Sequence, residues 1–378
     1  YSTEPTFSYK IDNPCRADLS CIIKNKYGKV EMSTSFSSNH NFSKGFFYVA
    51  DGTFNFYDTE KKTAYQDCYA SLNAGKTLGI GNYDSANIIH SNGKFYLLVG
   101  TSTSNRDHFY IVDAKTLYYE NSAVVGANLS GLTILNEQYG LVTGDGIRRI
   151  DLKSLNNVRI KNERLLCFYN SIIYNGKVLS NDTYKDESKV KYYDVNELIA
   201  AKEGEAPAVT ELDIIQKQKI NFVLAKDGNV YTLESADNGC NIVKIKNDFT
   251  LEKVFANFQP AKGPYHSSPT IGMVASETEN IIYLVSTDGA IFKYILGDSD
   301  SLKAPFIAAE SGVSITAPLQ LNQQSGELYV TYTEERKDES KIVVYSKDGK
   351  VLHTVDCGES VPSQILLSLI HISEPTRL

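Results

Sequence analysis

Tryptophan is missing from this 378-residue sequence, and only six cysteines, six histidines and two methionines are present. Without tryptophan, aromatic packing rests on 25 tyrosines and 16 phenylalanines, a usage that suits packed sheets with tyrosine hydroxyls reaching the surface. The cysteines (Cys15, Cys21, Cys68, Cys167, Cys240 and Cys357) form no Cys-x-x-Cys pair and have no neighbouring histidines at metal-ligand spacing, which argues against a structural zinc. Cys15 and Cys21 are close enough in sequence to close a small disulfide loop in an oxidising compartment. The other four sit among apolar residues and read as buried thiols.

Other absences narrow the function. No apolar run is long enough for a membrane-spanning helix. Lys and Arg total 38 against 45 Asp and Glu, giving a net charge of −7 with no basic stripe, so nucleic acid is not an expected partner. Helical periodicity is nearly absent, with residues 195–202 the best candidate for a short helix. No Ser-His-Asp set, paired carboxylates or metal-ligand spacing stands out. The sequence therefore nominates no catalytic residue, no metal and no cofactor.

What is there is a repeat. Seven apolar runs recur, namely GFFYVAD from Gly45, KFYLLVG from Lys94, QYGLVTGDG from Gln138, SIIYNGKVLS from Ser171, NFVLAKDG from Asn221, NIIYLVSTDG from Asn280 and GELYVTY from Gly326. Each is followed by a second run ending near Asp58, Asp113, Asp151, Asp194, Asp248, Asp298 or Asp348. The period, roughly 40 to 55 residues, suits one four-stranded propeller blade and is too long for ankyrin or leucine-rich units. Phe54 and Phe56 alternate with polar positions, which predicts strands with one face more buried than the other.

The closing Asp residues read as turn formers, because an Asp side chain accepts hydrogen bonds from backbone amides two residues on. Asp113 and Asp151 each open an Asp-x-Lys-Thr/Ser-Leu segment that leads from the third strand of a blade to its outer fourth strand. Gly52, Gly146, Gly228, Gly289 and Gly349, each after an Asp, read as turn glycines.

The fold class predicted is all-β: a seven-bladed β-propeller of four-stranded antiparallel blades, closed by a C-terminal strand. Residues 1–40 depart from the repeat and read as an N-terminal extension or the tail of a preceding β-domain, with strand character at TFSYKID and CIIKNKYGKVEM and a turn at Tyr27-Gly28. The propeller takes residues 41–366. LSLIHISEPTR from Leu367 resembles the translation of a sequencing adapter, so residues 367–378 are set aside as non-native. No innermost strand precedes Gly45, and residues 363–366 are expected to pair beside residues 45–49 and close the ring.

GFFYVAD, TFNFYD, NAGKTLGIGNYDSANIIHSNGKFYLLVG and HFYIVDAKTL together resemble the opening blades of YncE-like propellers from exported Bacteroidetes lipoproteins. Relatives of that group include surface proteins that capture cobalamin for a TonB-dependent transporter. The resemblance implies export, a lipid anchor through an N-terminal cysteine, and a location at the outer-membrane surface or in the periplasm. Cys15 follows Asn13-Pro14 without an upstream apolar run and does not look like a lipobox, so the anchor is expected in sequence before Tyr1. Asp84-Ser85-Ala86 and Asp300-Ser301-Leu302 resemble the O-glycosylation signal of exported proteins in that phylum.

In a propeller, the loops joining successive blades ring the mouth of the central channel. They place Tyr83, Asp84, Tyr169, Asn170, Tyr265, His266, Ser267 and Thr316 there as candidate ligand-binding residues. Aromatic faces and an imidazole suit a large, flat, partly apolar ligand. The bland reading of Tyr83, Tyr169, Tyr265 and His266 is that such a Tyr or His fills the channel neck or bonds a neighbouring loop. Three long loops between second and third strands, residues 101–107, 181–188 and 334–340, are expected on the same face.

Three classes follow. The first is a non-catalytic binding propeller, a monomer that catches a small nutrient such as a corrinoid for an outer-membrane transporter. The second is a lactonase-like or quinone-dependent propeller enzyme; the quinone version is disfavoured by the missing tryptophans that dock blades and flank the cofactor there. The third is a scaffold that binds protein or glycan through its rim.

Overall fold

The computed structural model describes residues 16–25, 28–37, 42, 44–73, 78, 86–99, 107–126, 129–144, 146–161, 171–181, 188–205, 207–216, 221–261, 272–334 and 339–367. Seven antiparallel sheets account for residues 45–367 among them. Blade 1 orders its strands Pro362–Leu367, Gly45–Ala50, Thr53–Asp58 and Thr63–Tyr65 from the innermost outward. Blade 2 contains Ala86–Ser91, Lys94–Val99, Asp107–Asp113 and Tyr119–Gly126, and blade 3 contains Leu129–Ile134, Tyr139–Gly144, Gly146–Asp151 and Asn157–Lys161. Blade 4 is built from Ile172–Tyr174, Lys177–Asn181, Ser188–Asp194 and Val209–Gln216, and blade 5 from Val223–Leu224, Val230–Ala236, Gly239–Ile245 and Leu251–Phe258.

Blades 6 and 7 are less regular. Blade 6 has Met273–Ala275, Ile281–Val285 and Ile291–Ile295, with Ile307 bridging Ile291 where an outer strand would run. In blade 7 the innermost strand is split into Val313–Ile315 and Gln320–Leu321, followed by Leu328–Glu334, Glu339–Tyr345 and Val351–Gly358.

Alternation along the strands explains why the sheets form a ring. Successive side chains point to opposite faces of a sheet. Phe47 and Val49 share a core with Phe95, Leu97 and Val99 of blade 2, while Phe46 and Tyr48 between them share one with Tyr329, Ile342 and Val344 of blade 7. Tyr96 and Leu98 then meet Leu132 and Val142 of blade 3. Leu141 and Ile147 meet Val178 and Tyr193 of blade 4, and Leu179 and Ile214 meet Val230 and Val243 of blade 5. Leu233 and Ile242 meet Ile282 and Leu284 of blade 6, and Tyr283 and Val285 meet Leu328 and Val330 of blade 7. Each sheet is packed on both faces, and the cores return to where they began.

Two-sided packing corrects the expectation of one more-buried face: Asn55 and Tyr57, between Phe54, Phe56 and Asp58, are as buried as the phenylalanines. Phenylalanine does the work that tryptophan does elsewhere. The Phe47 and Phe95 rings meet edge to face at 5.6 Å and 85°, and Phe42 meets Phe56 at 5.0 Å and 80°, arrangements favoured by the ring quadrupole.

The predicted closure is present. Phe47 pairs with Leu366, Tyr48 with Ile365 and Val49 with Gln364, and the ladder runs one residue past the expected end, to Phe46 with Leu367, the first residue of the adapter-like segment, so the innermost strand of blade 1 comes from the far end of the chain. The Asp turns are present too. At Asp113 the carboxylate accepts from the amides of Lys115 and Thr116 at 3.0 and 2.7 Å, and at Asp151 from those of Lys153 and Ser154 at 3.1 and 2.7 Å. In both turns the following leucine, Leu117 or Leu155, has positive φ, 59° or 58°. The short helix forms over Val195–Ala200, capped by Asp194.

Three readings change. The run from Asn221 is the innermost strand of blade 5, and Val230–Ala236 is the second strand that pairs with Gly239–Ile245. A helix at Cys68–Leu72, unanticipated because five residues show no periodicity, follows the short outer strand of blade 1 and buries Cys68, Tyr69 and Leu72. In the N-terminal region Arg16–Asn25 pairs with Gly28–Ser37, and the ladder ends at Asn25↔Gly28, one residue earlier than the expected Tyr27-Gly28 turn. Cys68 and Cys240 are buried free thiols and Cys357 is half-buried; Cys15 and Cys167 lie outside the described residues.

Candidate functional site

The chain leaves the top of each second strand, returns in the third, and passes from the outer strand of one blade to the innermost strand of the next at that same end. Among the described residues, the ends of the second strands and the starts of the third and innermost strands therefore lie at one end of the ring. Tyr83, Asp84, Tyr169, Asn170, Tyr265, His266 and Ser267 lie outside the described residues. Thr316 is described. It follows Val313–Ile315 in the break of the split innermost strand of blade 7, and its amide donates to the Thr331 carbonyl at 3.2 Å.

The Thr316 hydroxyl is half-buried and lies 3.1 Å from that of Thr333, which lies 3.0 Å from that of Ser340. This short hydroxyl ladder crosses three strands of blade 7 just below the face. Thr316 is thus hydrogen-bonded within blade 7, to the adjacent second strand.

Sequence reasoning missed a longer polar chain in blades 4 to 6. Asn181, at the top of the second strand of blade 4, donates its Nδ2 to Gln216 Oε1 at 2.6 Å. Gln216 Nε2 donates to Thr232 Oγ1 and to the Leu233 carbonyl, both at 3.0 Å. Thr232 Oγ1 donates to the Asn221 carbonyl at 3.1 Å. Asn221 then holds blade 6 from both sides: Nδ2 donates to the Met273 carbonyl at 2.6 Å, and Oδ1 accepts the Met273 amide at 3.0 Å. Asn181, Gln216 and Thr232 are almost wholly buried. Buried amides and hydroxyls are tolerated because each finds a partner. The only sequence signal is a polar residue inside an apolar strand, as in VYTLESA and KVLSN.

Similar side-chain links join other innermost strands. Gln364 Nε2 of blade 1 donates to the Ile88 carbonyl of blade 2 at 2.9 Å, and the hydroxyls of Thr133 in blade 3 and Ser171 at the start of blade 4 are bonded to each other. The groups named on this face are neutral amides and hydroxyls. Charge lies at its margin, where Lys341 faces Glu310 and Glu334 at 3.8 and 3.9 Å, and where Lys253 meets Glu234 at 3.2 Å. Among the described residues no group of three or more His, Cys, Asp or Glu is arranged to hold a metal ion.

Seven sheets in a ring are the setting in which the comparisons with known proteins fall. The family described as a domain of unknown function, DUF5074, matches residues 42–359. The chain belongs to the DUF5074 family. Its matched span starts just before blade 1 and ends at the outer strand of blade 7, so the DUF5074 domain is the propeller. No curated protein matches by sequence.

Solved structures similar to the chain are diverse. A functionally unknown protein from Desulfotomaculum acetoxidans aligns with TM-score 0.52 at 13% identity, over 85% of this chain and 99% of that one. A puromycin hydrolase, an S511A mutant complexed with PGG, aligns with TM-score 0.54 at 10% identity over 82% of this chain. A prolyl endopeptidase aligns with TM-score 0.47 at 13% identity over 72% of this chain. The DUF5074 chain spans 52% of the hydrolase and 42% of the endopeptidase. At such identities the likeness concerns the fold alone, and one fold hosts many activities.

Proposed function

We propose that this DUF5074 propeller is a non-catalytic binding protein that takes up a small ligand at the face of its blade connectors. The observation that supports the reading is that strand ends meet at one end of a closed ring, where amides and hydroxyls of blades 4 to 7 form a hydrogen-bonded floor. Loops on a rigid scaffold are where binding groups gather, and a floor already satisfied internally holds its shape without a ligand. The resemblance of blades 1 and 2 to exported YncE-like lipoproteins supports a more specific form. In that form the protein is lipid-anchored at the outer-membrane surface or in the periplasm and captures a corrinoid for a TonB-dependent transporter. Tyr83, Tyr169, Tyr265 and His266 are the side chains suited to a broad, partly apolar ligand.

Titration of the purified chain with cyanocobalamin, followed by calorimetry and visible absorbance, tests this. Saturable binding is expected, weakened about tenfold or more in Tyr83→Ala and Tyr265→Ala if those rings are anchors. Neither heat nor an absorbance change removes the corrinoid version, and binding unaltered in both variants moves the site to the rim.

A further inference from the structure

We propose that the outer groove between blades 1 and 2 is a second binding site, one that takes a neutral saccharide. The outer strand of blade 1 is short. Thr63–Tyr65 pairs only with Phe56, Tyr57 and Asp58, and the helix Cys68–Leu72 follows where that strand would have continued along Thr53–Asn55. Among the described residues, the upper outer part of the blade 2 face that looks toward blade 1 is therefore met by no strand. His108, Tyr110 and Val112 alternate onto that face, and Val112 and Tyr110 pack with residues of blade 1. On the neighbouring outer strand Ser122 stands opposite Tyr110, and Val124 opposite His108. The face stays open here: His108, Tyr110 and Ser122 are half-buried and Val124 is 45% exposed.

Rings and hydroxyls give the groove its chemistry. The rings of His108 and Tyr110 lie nearly parallel, at 23° with centroids 6.0 Å apart. Beside them, the Tyr119 hydroxyl lies 3.1 Å from that of Ser122. Tyr69 reaches in from the blade 1 helix: burial first, and then the neighbouring Tyr110 and Tyr119 hydroxyls, push its pKa up. Tyr69 is 2% exposed and its hydroxyl has no hydrogen-bond partner, where a buried hydroxyl ordinarily has one. A donor and acceptor is thus left over at the base of the groove. No carboxylate, ammonium or guanidinium belongs to this set, and Lys94 and Glu120 lower on blade 2 pair with each other at 2.6 Å. A pyranose offers an apolar C–H face to flat rings and uncharged hydroxyls at its edge, which these groups match; a charged ligand finds no counter-charge among them. The site lies on the outer side of the ring and does not rest on the reading of the connector end.

Calorimetric titration of the folded chain with maltohexaose, cellohexaose, xylohexaose and mannohexaose tests the site. Saturable binding of at least one is expected, weakened about tenfold or more in Tyr110→Ala, which removes an aromatic anchor. Tyr69→Phe removes only the unpartnered hydroxyl. It should weaken binding about three- to tenfold and leave the urea midpoint no lower than the parent's, since no hydrogen bond of the free protein is lost. His108→Ala should weaken binding about threefold or more and serves if Tyr110→Ala does not fold. Absence of binding by all the hexasaccharides overturns the proposal. So does binding that stays within about twofold of the parent's in Tyr69→Phe and in the ring variant, or weakening in Tyr69→Phe that comes with a lowered urea midpoint, since that reports a structural role for the hydroxyl.

Discussion

Single carboxylates finish strands throughout this ring, and their ionisation links stability to pH. Asp151 is held below the ordinary carboxylate value first by the Ser154 amide, Asp194 by the Lys177 ammonium, Asp248 by the Thr250 hydroxyl and Asp288 by the Ser286 hydroxyl. A depressed folded-state value means that the unfolded chain binds more protons as the pH falls. The contribution is therefore complete above about pH 4, the unfolded value, and is lost below it as the folded value is approached. Asp248 and Asp288 are exposed and Asp151 and Asp194 half-buried, so each adds little, and the effect is collective. The urea midpoint is expected to stay level from pH 7 to about 5 and to fall below about 4. A midpoint that rises or holds between pH 5 and 3 contradicts this use of the turn aspartates.

Strands and helices show which parts of the fold were legible in the sequence. GFFYVA and KFYLLV announce themselves because both faces of these strands are buried, yet the same property hides their place in the blade. The run from Asn221 looks like a second strand because, when both faces are apolar, nothing in the pattern separates an innermost strand from its neighbour. Turn chemistry carried further: Asp51-Gly52 takes φ of 46° and 73°, and the unflagged Asn92-Gly93 and Asn175-Gly176 take the same left-handed pair, as two-residue hairpins demand. The buried chain through Asn181, Gln216 and Thr232 was illegible, since a polar residue inside a strand does not reveal its partner in another blade.

The helix Cys68–Leu72 was likewise illegible; Asp67 caps its start, accepting the Ala70 amide at 3.2 Å, and Asn73 holds its end. Asn73 donates to the carbonyls of Tyr69 and Leu117 at 2.9 and 2.8 Å and accepts the Tyr119 amide at 2.7 Å, pinning the helix end to the outer turn of blade 2. Asn73→Ala is expected to lower unfolding free energy by about 1–3 kcal/mol in urea titration. A change within about 0.5 kcal/mol, typical of an uninvolved surface site, would show that the Asn73 bonds do not hold the helix end.

At the scale of the molecule, the binding face is only as fixed as the ring beneath it. An open ring would expose the unpaired edge of Gly45–Ala50, and the floor formed by blades 4 to 7 would lose its support from blade 1. The closing segment Pro362–Leu367 buries Ile365 completely and lays Leu367 against the core shared with blade 7, so closure joins the two ends of the propeller both by a ladder and by an apolar contact. Native-state hydrogen exchange of residues 363–367 measures that closure directly. Protection of the hydrogen-bonded amides there to the same level as those of residues 45–50 is predicted, because both should open only when the ring unfolds. Exchange in residues 363–367 at the rate of an unstructured chain, with residues 45–50 still protected, would contradict the closed seven-bladed ring.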